Sequence, residues 1–478
     1  RLMPSESAKK IFIILMLGSL MISAFFIRLE NFKNSQSRSI DEIVYYRMAK
    51  QIVHQGFSGY NSIPYGRELA ETGRVLPQYF FEPLFKHPPL FTLLIAFSMK
   101  LFGPILLSAE YVTLLFAVLT IPLTYFLGSL LFNRTVGMLT TFLLWADPVS
   151  IICSQKVWME SVLSFFTILS IYLFAYAVQR HKDIYFLFAG ISAGLAALTK
   201  YPGFLALIII LSYALGYERR LFKNKMFVTS LFIPFLAILP WLFWNLAVYG
   251  SKLLTVQGTL HHDAARVTQE LSNPMIWLTG VITLVGAAVL HLYQRKQVPK
   301  SGRTPGSDDE KRYTFLVCGM GILLCCFLWQ NILNGLNIYF VPKVSWAAGA
   351  FANESPLFYF GRLIEFSPFY ILSFAALFLS IRPKRTIRML AVLTTLGILT
   401  LFILWGNYQS RYILAAIPFL ILFGANLYCE LYKRVLRIDQ FTPYLIGKTL
   451  LWIWALVTLL KAIAINMNLS FPNDFCYF

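Results

Sequence analysis

Acidic side chains are scarce in this sequence: Asp and Glu supply 22 of its 478 residues, against 41 Lys and Arg. Charge of either sign makes up 13% of the chain, too little to coat a soluble domain, whereas hydrophobic residues reach 58% and aromatics 16%. The balance excludes a soluble globular protein and predicts an integral, multi-pass membrane protein. Cysteine is sparse too. The 6 residues are scattered, with Cys318, Cys325 and Cys326 inside one apolar run, so neither a disulfide framework nor a CxxC pair is present. Also missing is any polar stretch long enough to bury a core of its own, so residues 1–478 read as a single membrane domain with elaborated loops.

What the chain has in abundance is apolar runs long enough to cross about 30 Å of hydrocarbon. They predict an all-α fold with about thirteen spans, at 11–27, 108–131, 136–153, 161–178, 184–199, 203–217, 226–249, 274–292, 314–333, 369–381, 387–405, 412–428 and 449–465. The first follows Lys9 and Lys10 as a signal sequence would, but no small-x-small cleavage site precedes Arg28, so it reads as retained. The apolar stretch between Pro88 and Phe102 is different. Roughly fourteen residues at about 1.5 Å each cover only about 20 Å, which predicts a helix that lies in the interface or re-enters the membrane.

The basic residues agree with that choice. With the short stretch left out, Lys9 and Lys10, Arg134, Arg180 and Lys182, Arg219 to Lys225, Arg295 to Arg312, Arg382 to Arg388, and Lys433 to Lys448 all fall on one side, the side expected to be cytoplasmic. Counting it as a span would invert every later loop. The net charge of +19 therefore reads as topology and contact with anionic membrane lipids, and its division among short loops argues against a nucleic-acid partner. The same parity puts the 28–107 loop, 155–160, Lys200, the 250–273 loop, the 334–368 loop and Arg411 together outside. The residues able to do chemistry collect there.

Within the first outer loop, Ser39-x-x-Glu42 spells a capping box that opens an amphipathic helix, with Ile40, Ile43, Val44, Met48, Ile52 and Val53 on its apolar side and Gly56 as its stop. Such a helix is expected to lie on the membrane surface. Glu42 then serves as a cap. Asp41 is not needed for capping; the helix dipole favours its ionised form, and it shares a stripe with Tyr45, which makes it a candidate general base. The loop runs on to Lys86-His87-Pro88-Pro89-Leu90, where the prolines are expected to open the short helix and Lys86 or His87 could meet an anion near its first turn.

Taken in order, Asp41-Glu42-x-x-Tyr45, Lys86-His87-Pro88-Pro89-Leu90, Leu101-Phe102-Gly103 and Leu131-Phe132-Asn133-Arg134 resemble the GT-C membrane glycosyltransferases, closest to the protein O-mannosyltransferase and aminoarabinose-lipid A transferase group. Pro148 with Glu160, Leu198 to Gly203, Tyr359-Phe360 and Arg411-Tyr412 through Pro418 extend the resemblance to about residue 428. It implies an enzyme that moves one sugar, with inversion, from a polyprenyl or dolichyl phosphate carrier to an acceptor hydroxyl on a protein, lipid or glycan. The site would face the extracytoplasmic side of a bacterial or archaeal cell membrane, or the lumen of the endoplasmic reticulum. By resemblance Asp41 is the base, Glu160 the second acid, orienting the acceptor or a basic neighbour such as Lys156, and Lys86 or His87, Lys200 and Arg411 hold the donor phosphate. Glu42, Tyr45, Tyr359 and Asp147 are candidates for the substrate cavity.

The chain departs from the group in places. His87 stands directly before the proline pair where the aminoarabinose group usually has Lys, and Glu160 replaces the commoner Asp. No β-trefoil module of the kind inserted in eukaryotic protein mannosyltransferases is visible, which argues against that branch, and the Trp-Trp-Asp-Tyr-Gly signature of oligosaccharyltransferases is missing, which argues against transfer of a whole glycan to asparagine. No cofactor is expected. His261-His262-Asp263 is the one weak metal candidate, since adjacent ligands rarely close a site and no further partner is evident. Asp147, costly in lipid, should pair with an arginine or line the site, while Trp241 and Trp244 read as packing or interface residues. The rival class, a secondary transporter or lipid flippase, would call for midplane charges and repeated halves. Neither stands out.

Overall fold

The computed structural model describes residues 6–34, 39–73, 76, 78–250, 358–380, 387–405, 409–436 and 441–466. Among these residues every regular element is helical, α or 3-10. Six helices are long and apolar enough to cross a membrane, or seven if one bent pair counts as a single span. The chain is a multi-pass membrane protein, as its composition requires. Predicted spans 274–292 and 314–333 lie outside the described residues, as do most of the 250–273 and 334–368 loops.

The helices begin with α1 (Glu6–Asn34), α2 (Ile40–Gln55), α3 (Ile63–Glu71) and α4 (Leu90–Phe102). The predicted start of α4 moves by one residue, because Pro89 is its N-cap rather than its first helical position. Then come α5 (Leu106–Leu131), α6 (Arg134–Trp145), α7 (Pro148–Ser154) and α8 (Glu160–Arg180). The predicted span 136–153 is not continuous: α6 and α7 meet at 55°. Asp147 breaks it by capping α7, its Oδ1 accepting the Ser150 amide at 2.9 Å, with Pro148 in the first turn where its missing N–H costs nothing.

The remaining helices are α9 (Ile184–Thr199), α10 (Leu205–Gly216), α11 (Lys225–Tyr249), α12 (Phe358–Phe366), α13 (Phe369–Ser380), α14 (Arg388–Trp405), α15 (Ile417–Val435) and α16 (Phe441–Asn466). The main core joins α5–α10 to α12–α15, with Phe174, Phe186, Leu390, Ile417 and Phe419 at its centre. Small residues allow a close contact between α9 and α11. A Cβ on Gly190 would stand 2.5 Å from the Ser230 carbonyl oxygen, so only glycine fits there. Large apolar side chains on α1, α11 and α16, such as Ile14, Phe232 and Trp452, face outward as lipid-facing residues should.

The loop helices form a second core. Val44, Tyr45, Met48 and Ile52 of α2 pack with Phe85 and with Phe91 and Ile95 of α4. The apolar side expected to rest on the membrane surface is thus largely covered by protein, although Ile40 stays exposed. The described part of the first loop packs on the bundle through α4, which contacts α5 and α9.

Candidate active site

The segment that presents Asp41 is fixed by its cap. The Ser39 hydroxyl accepts the Glu42 amide at 3.4 Å, and Glu42 Oε2 takes the Ser39 amide at 2.7 Å. This is the reciprocal arrangement the sequence predicts. Glu42 also does something the local pattern does not encode. Its Oε1 accepts the Val157 amide at 3.2 Å, and Lys156 Nζ lies 3.9 Å from Oε2, so the carboxylate ties α2 to the loop between α7 and α8. Both side chains are buried, Glu42 at 0% and Lys156 at 2% exposure. Glu42→Ala should therefore lower stability by about 3 kcal/mol or more, since it removes a cap and leaves a buried ammonium without its carboxylate. Thermal unfolding in detergent would read this, and an unchanged midpoint would count against the pairing.

Asp41 points away from that pair. Its Oδ2 accepts Arg411 Nη2 at 2.9 Å, closing a contact across 370 positions of sequence. Arg411 sits in a 3-10 turn, Ser410–Ala416, that leads into α15, and its Nε donates to Gln409 Oε1 at 2.6 Å. One face of the guanidinium lies 4.4 Å from the ring centroid of Trp158, and the Tyr412 ring is 5.3 Å away. Trp158 is buried and its indole N–H donates to Ser39 Oγ at 3.0 Å. Burial opposes the charge on Asp41, but Arg411, then Lys86, outweigh it and hold the carboxyl below its ordinary value.

Beside this pair stands a second. Lys200 Nζ donates to Glu160 Oε1 at 3.0 Å and lies 4.6 Å from the Tyr412 ring centroid. Glu160 is the first residue of α8, and Lys200 is the extended residue that ends α9. The turn after Lys200 doubles back so tightly that a Cβ on Gly203 would meet the Ala196 carbonyl carbon at 2.1 Å. Glycine is required there. Lys156, expected as a basic neighbour of Glu160, lies 3.9 Å from the Glu42 carboxylate, and Lys200 pairs with Glu160.

Lys86 and His87 reach the same region from the loop before α4. Lys86 acts electrostatically on both Asp41 and His87. Burial first, then Lys86, Lys200 and Arg411, push the His87 imidazole well below its ordinary value, so it is neutral at physiological pH. Its backbone carbonyl accepts the Tyr60 hydroxyl, whose ring packs edge-on against Trp241 at 5.4 Å. Trp241 donates in turn to the Tyr201 hydroxyl at 2.9 Å, which makes it a packing residue beside the Lys200 turn.

Other expected residues stand apart. Tyr45 is buried, edge-on to Phe85 and Phe91 with centroids 5.8 and 5.1 Å away, and its hydroxyl contacts Met159 Sδ at 3.9 Å. Burial, then Asp41 and Glu160, keep that phenol protonated, so it secures α2 to the loop rather than exchanging protons. Asp147 is occupied by its cap and by the Tyr370 hydroxyl at 2.7 Å, with Arg28 close enough to interact electrostatically. It borders an apolar cavity of about 360 Å³ between α6, α13, α15 and α16. Tyr359 is buried in the main core on α12, which packs beside the turn carrying Arg411. Among the described residues no cluster of three His, Cys, Asp or Glu is placed to hold a metal ion, and His261, His262 and Asp263 lie outside the described residues.

Residues 86–244 match the family model described as dolichyl-phosphate-mannose-protein mannosyltransferase, a stretch that contains Lys86, His87, Glu160 and Lys200 but not Asp41 or Arg411. No curated protein matches the sequence. Among solved structures, the archaeal oligosaccharyltransferase AglB from Archaeoglobus fulgidus, in complex with an inhibitory peptide and a dolichol-phosphate, superposes with a TM-score of 0.56 at 15% identity, over 97% of this chain and 57% of its own. An Archaeoglobus fulgidus oligosaccharyltransferase in the apo form gives 0.52 at 14% identity, over 94% and 56% of the two chains. ArnT from Cupriavidus metallidurans in the apo state gives 0.40 at 12% identity, over 90% and 80%. The chain spans little more than half the length of the archaeal proteins. What it shares with the two archaeal structures is the fold, and that fold is GT-C.

Proposed function

From a GT-C membrane fold whose residues 86–244 match the dolichyl-phosphate-mannose-protein mannosyltransferase family, we propose that this protein transfers a single sugar from a lipid-phosphate carrier to an acceptor hydroxyl. The observation that carries this reading is the meeting of Asp41 with Arg411 and of Glu160 with Lys200, four charged side chains from four distant segments at one end of the bundle. Lys86, Lys200 and Arg411 together exceed Asp41 and Glu160 in charge, which leaves the group net positive and suited to a phosphate.

In the proposed reaction the acceptor oxygen bonds to the anomeric carbon as the bond from that carbon to the phosphate oxygen breaks, with inversion. The bonding electrons leave on the lipid phosphate, and the acceptor proton passes to Asp41. Arg411, Lys200 and Lys86 meet the charge that develops on the phosphate. His87, being neutral, contributes a hydrogen bond at most. Asp41 paired with Arg411 is a weak base. When the donor phosphate draws the guanidinium to itself, the carboxylate loses its strongest partner and its basicity rises toward what proton abstraction needs. Glu160 keeps the Lys200 ammonium in place and orients the acceptor.

The direct test supplies dolichyl phosphate mannose to the protein in lipid nanodiscs with a hydroxyl-bearing acceptor peptide. Release of dolichyl phosphate that depends on both acceptor and Asp41 supports transfer; release without acceptor, or none, counts against it.

The reading also requires the site to face away from the cytoplasm. Both probe positions, Glu68 on α3 and Arg134 at the start of α6, are exposed. Glu68→Cys in intact cells should react with a membrane-impermeant maleimide, and Arg134→Cys should react only after permeabilisation. The opposite pattern would overturn the topology.

A further inference from the structure

One side chain touches both halves of this site. The Trp158 indole N–H is bonded to Ser39 Oγ at 3.0 Å, and Ser39 is the N-cap of the helix whose second residue is Asp41. The face of the same ring carries the Arg411 guanidinium at 4.4 Å, and Arg411 closes the circuit on Asp41 at 2.9 Å. Trp158 is itself held firmly. It is only 2% exposed, Lys156 and Val157 before it are clamped by Glu42, and Met159 after it touches the Tyr45 hydroxyl.

We propose that Trp158 is a positioning residue for the transfer reaction, the platform on which Arg411 turns from Asp41 to the donor phosphate while staying at a fixed height above the helix that carries the base. This rests on the reading that Arg411 holds the phosphate. A guanidinium stacked on an aromatic face is held by its quadrupole, an attraction that fixes the distance to the ring but hardly depends on rotation within the stacking plane. Arg411 can thus exchange one anion for another without losing the ring. A charge tethered only by its own flexible stem would have to be ordered anew at each donor encounter. Because the indole is also bonded to the helix cap, movement of the platform moves base and phosphate holder together. An in-line displacement depends on their relative placement to within fractions of an ångström.

The experiment is a cycle of Trp158→Phe, Trp158→Leu, Arg411→Ala and the double variant Trp158→Leu/Arg411→Ala in nanodiscs. Two quantities are read: binding of radiolabelled dolichyl phosphate, and kcat and KM with dolichyl phosphate mannose. Trp158→Leu should weaken dolichyl phosphate binding and raise the donor KM about tenfold, the scale of a desolvated cation–π contact. Trp158→Phe, which keeps a face but not the N–H, should retain most of the binding yet lower kcat. In the double variant, loss of the ring should add nothing to the weakened dolichyl phosphate binding of Arg411→Ala, because the guanidinium that the ring carries is already gone, while the lost N–H still lowers kcat.

Full additivity of the binding losses in that cycle, or wild-type binding and kinetics in Trp158→Leu, overturns the proposal. If Trp158→Leu does not fold, Trp158→Phe decides alone: an unchanged kcat overturns the proposal, and a lowered kcat with retained binding supports it. Arg411→Ala tests the underlying reading separately. If that variant binds dolichyl phosphate as wild type does, Arg411 is not the phosphate holder, whatever Trp158 does.

Discussion

Asp41→Asn is expected to lower kcat for sugar transfer by about three orders of magnitude while dolichyl phosphate binding stays equal or becomes tighter. In the proposed reaction the loss follows from removing the group that would take the acceptor proton, for which the neutral amide offers no substitute. The gain in binding is the less obvious half. In the free protein Arg411 spends one nitrogen on Asp41 at 2.9 Å. Without the carboxylate's charge the guanidinium is released to the phosphate at lower cost. A purely structural carboxylate would behave differently, since its loss would disorder Arg411 and weaken binding together with turnover.

The pH profile adds a second readout. Arg411, then Lys86, hold the Asp41 carboxyl below its ordinary value against the opposing effect of burial. The acid limb of kcat/KM, which reports the free protein, should therefore lie below the usual carboxylate value of about 3.9. The limb of kcat, which reports the donor complex, should lie higher, because there the phosphate has taken the guanidinium. The sugar phosphodiester carries no titrating proton in this range, so the displacement between limbs belongs to the protein. Coincident limbs would mean that Arg411 never leaves Asp41. The same pairing favours the folded state above the unfolded carboxylate's pKa, and this contribution is lost as pH falls through the depressed folded value.

How much of this site could be read from the chain depended on whether the determinant was local. Ser39-x-x-Glu42 is a pattern of adjacent turns, so the cap and the placement of Asp41 one residue into the helix were legible. The tight turn after Lys200 has a local signal too, Pro202-Gly203 one residue further on, although the spans 184–199 and 203–217 mark only a break there. The broken span was not recognised, although Asp147-Pro148 is a cap and first-turn pair that carries the signal. Span-scale hydropathy averages such a pair away. The partner choice of Lys156 and Lys200 could not be read at all. Each lies on the same face by topology, and only the packing of α8 against α9 decides that Lys200 reaches Glu160. Trp158 carries no local signal for a related reason: a tryptophan in an outer loop has an ordinary reading as an interface residue, and its partners Ser39 and Arg411 are 119 and 253 positions away.

Arg411→Ala should be the second severe loss, with the donor KM raised and kcat lowered so that kcat/KM falls by about a hundredfold to a thousandfold. Arg411 has three engagements that no other residue duplicates: the Asp41 carboxylate, the Gln409 side chain at 2.6 Å, and the Trp158 face at 4.4 Å. Lys200 cannot replace it, because its ammonium, anchored on Glu160 at 3.0 Å, has neither the planar fork nor the face that stacks on Trp158. Arg411→Lys separates charge from geometry. It restores the positive charge but neither the flat face that stacks on Trp158 nor the fork that can serve Gln409 and an anion together. Its kcat/KM should stay nearer to that of Arg411→Ala than to wild type, with the ground-state donor affinity recovering more than kcat. Full recovery of kcat in Arg411→Lys would show that a point charge suffices and that the stacked guanidinium plane plays no part in reaching the transition state.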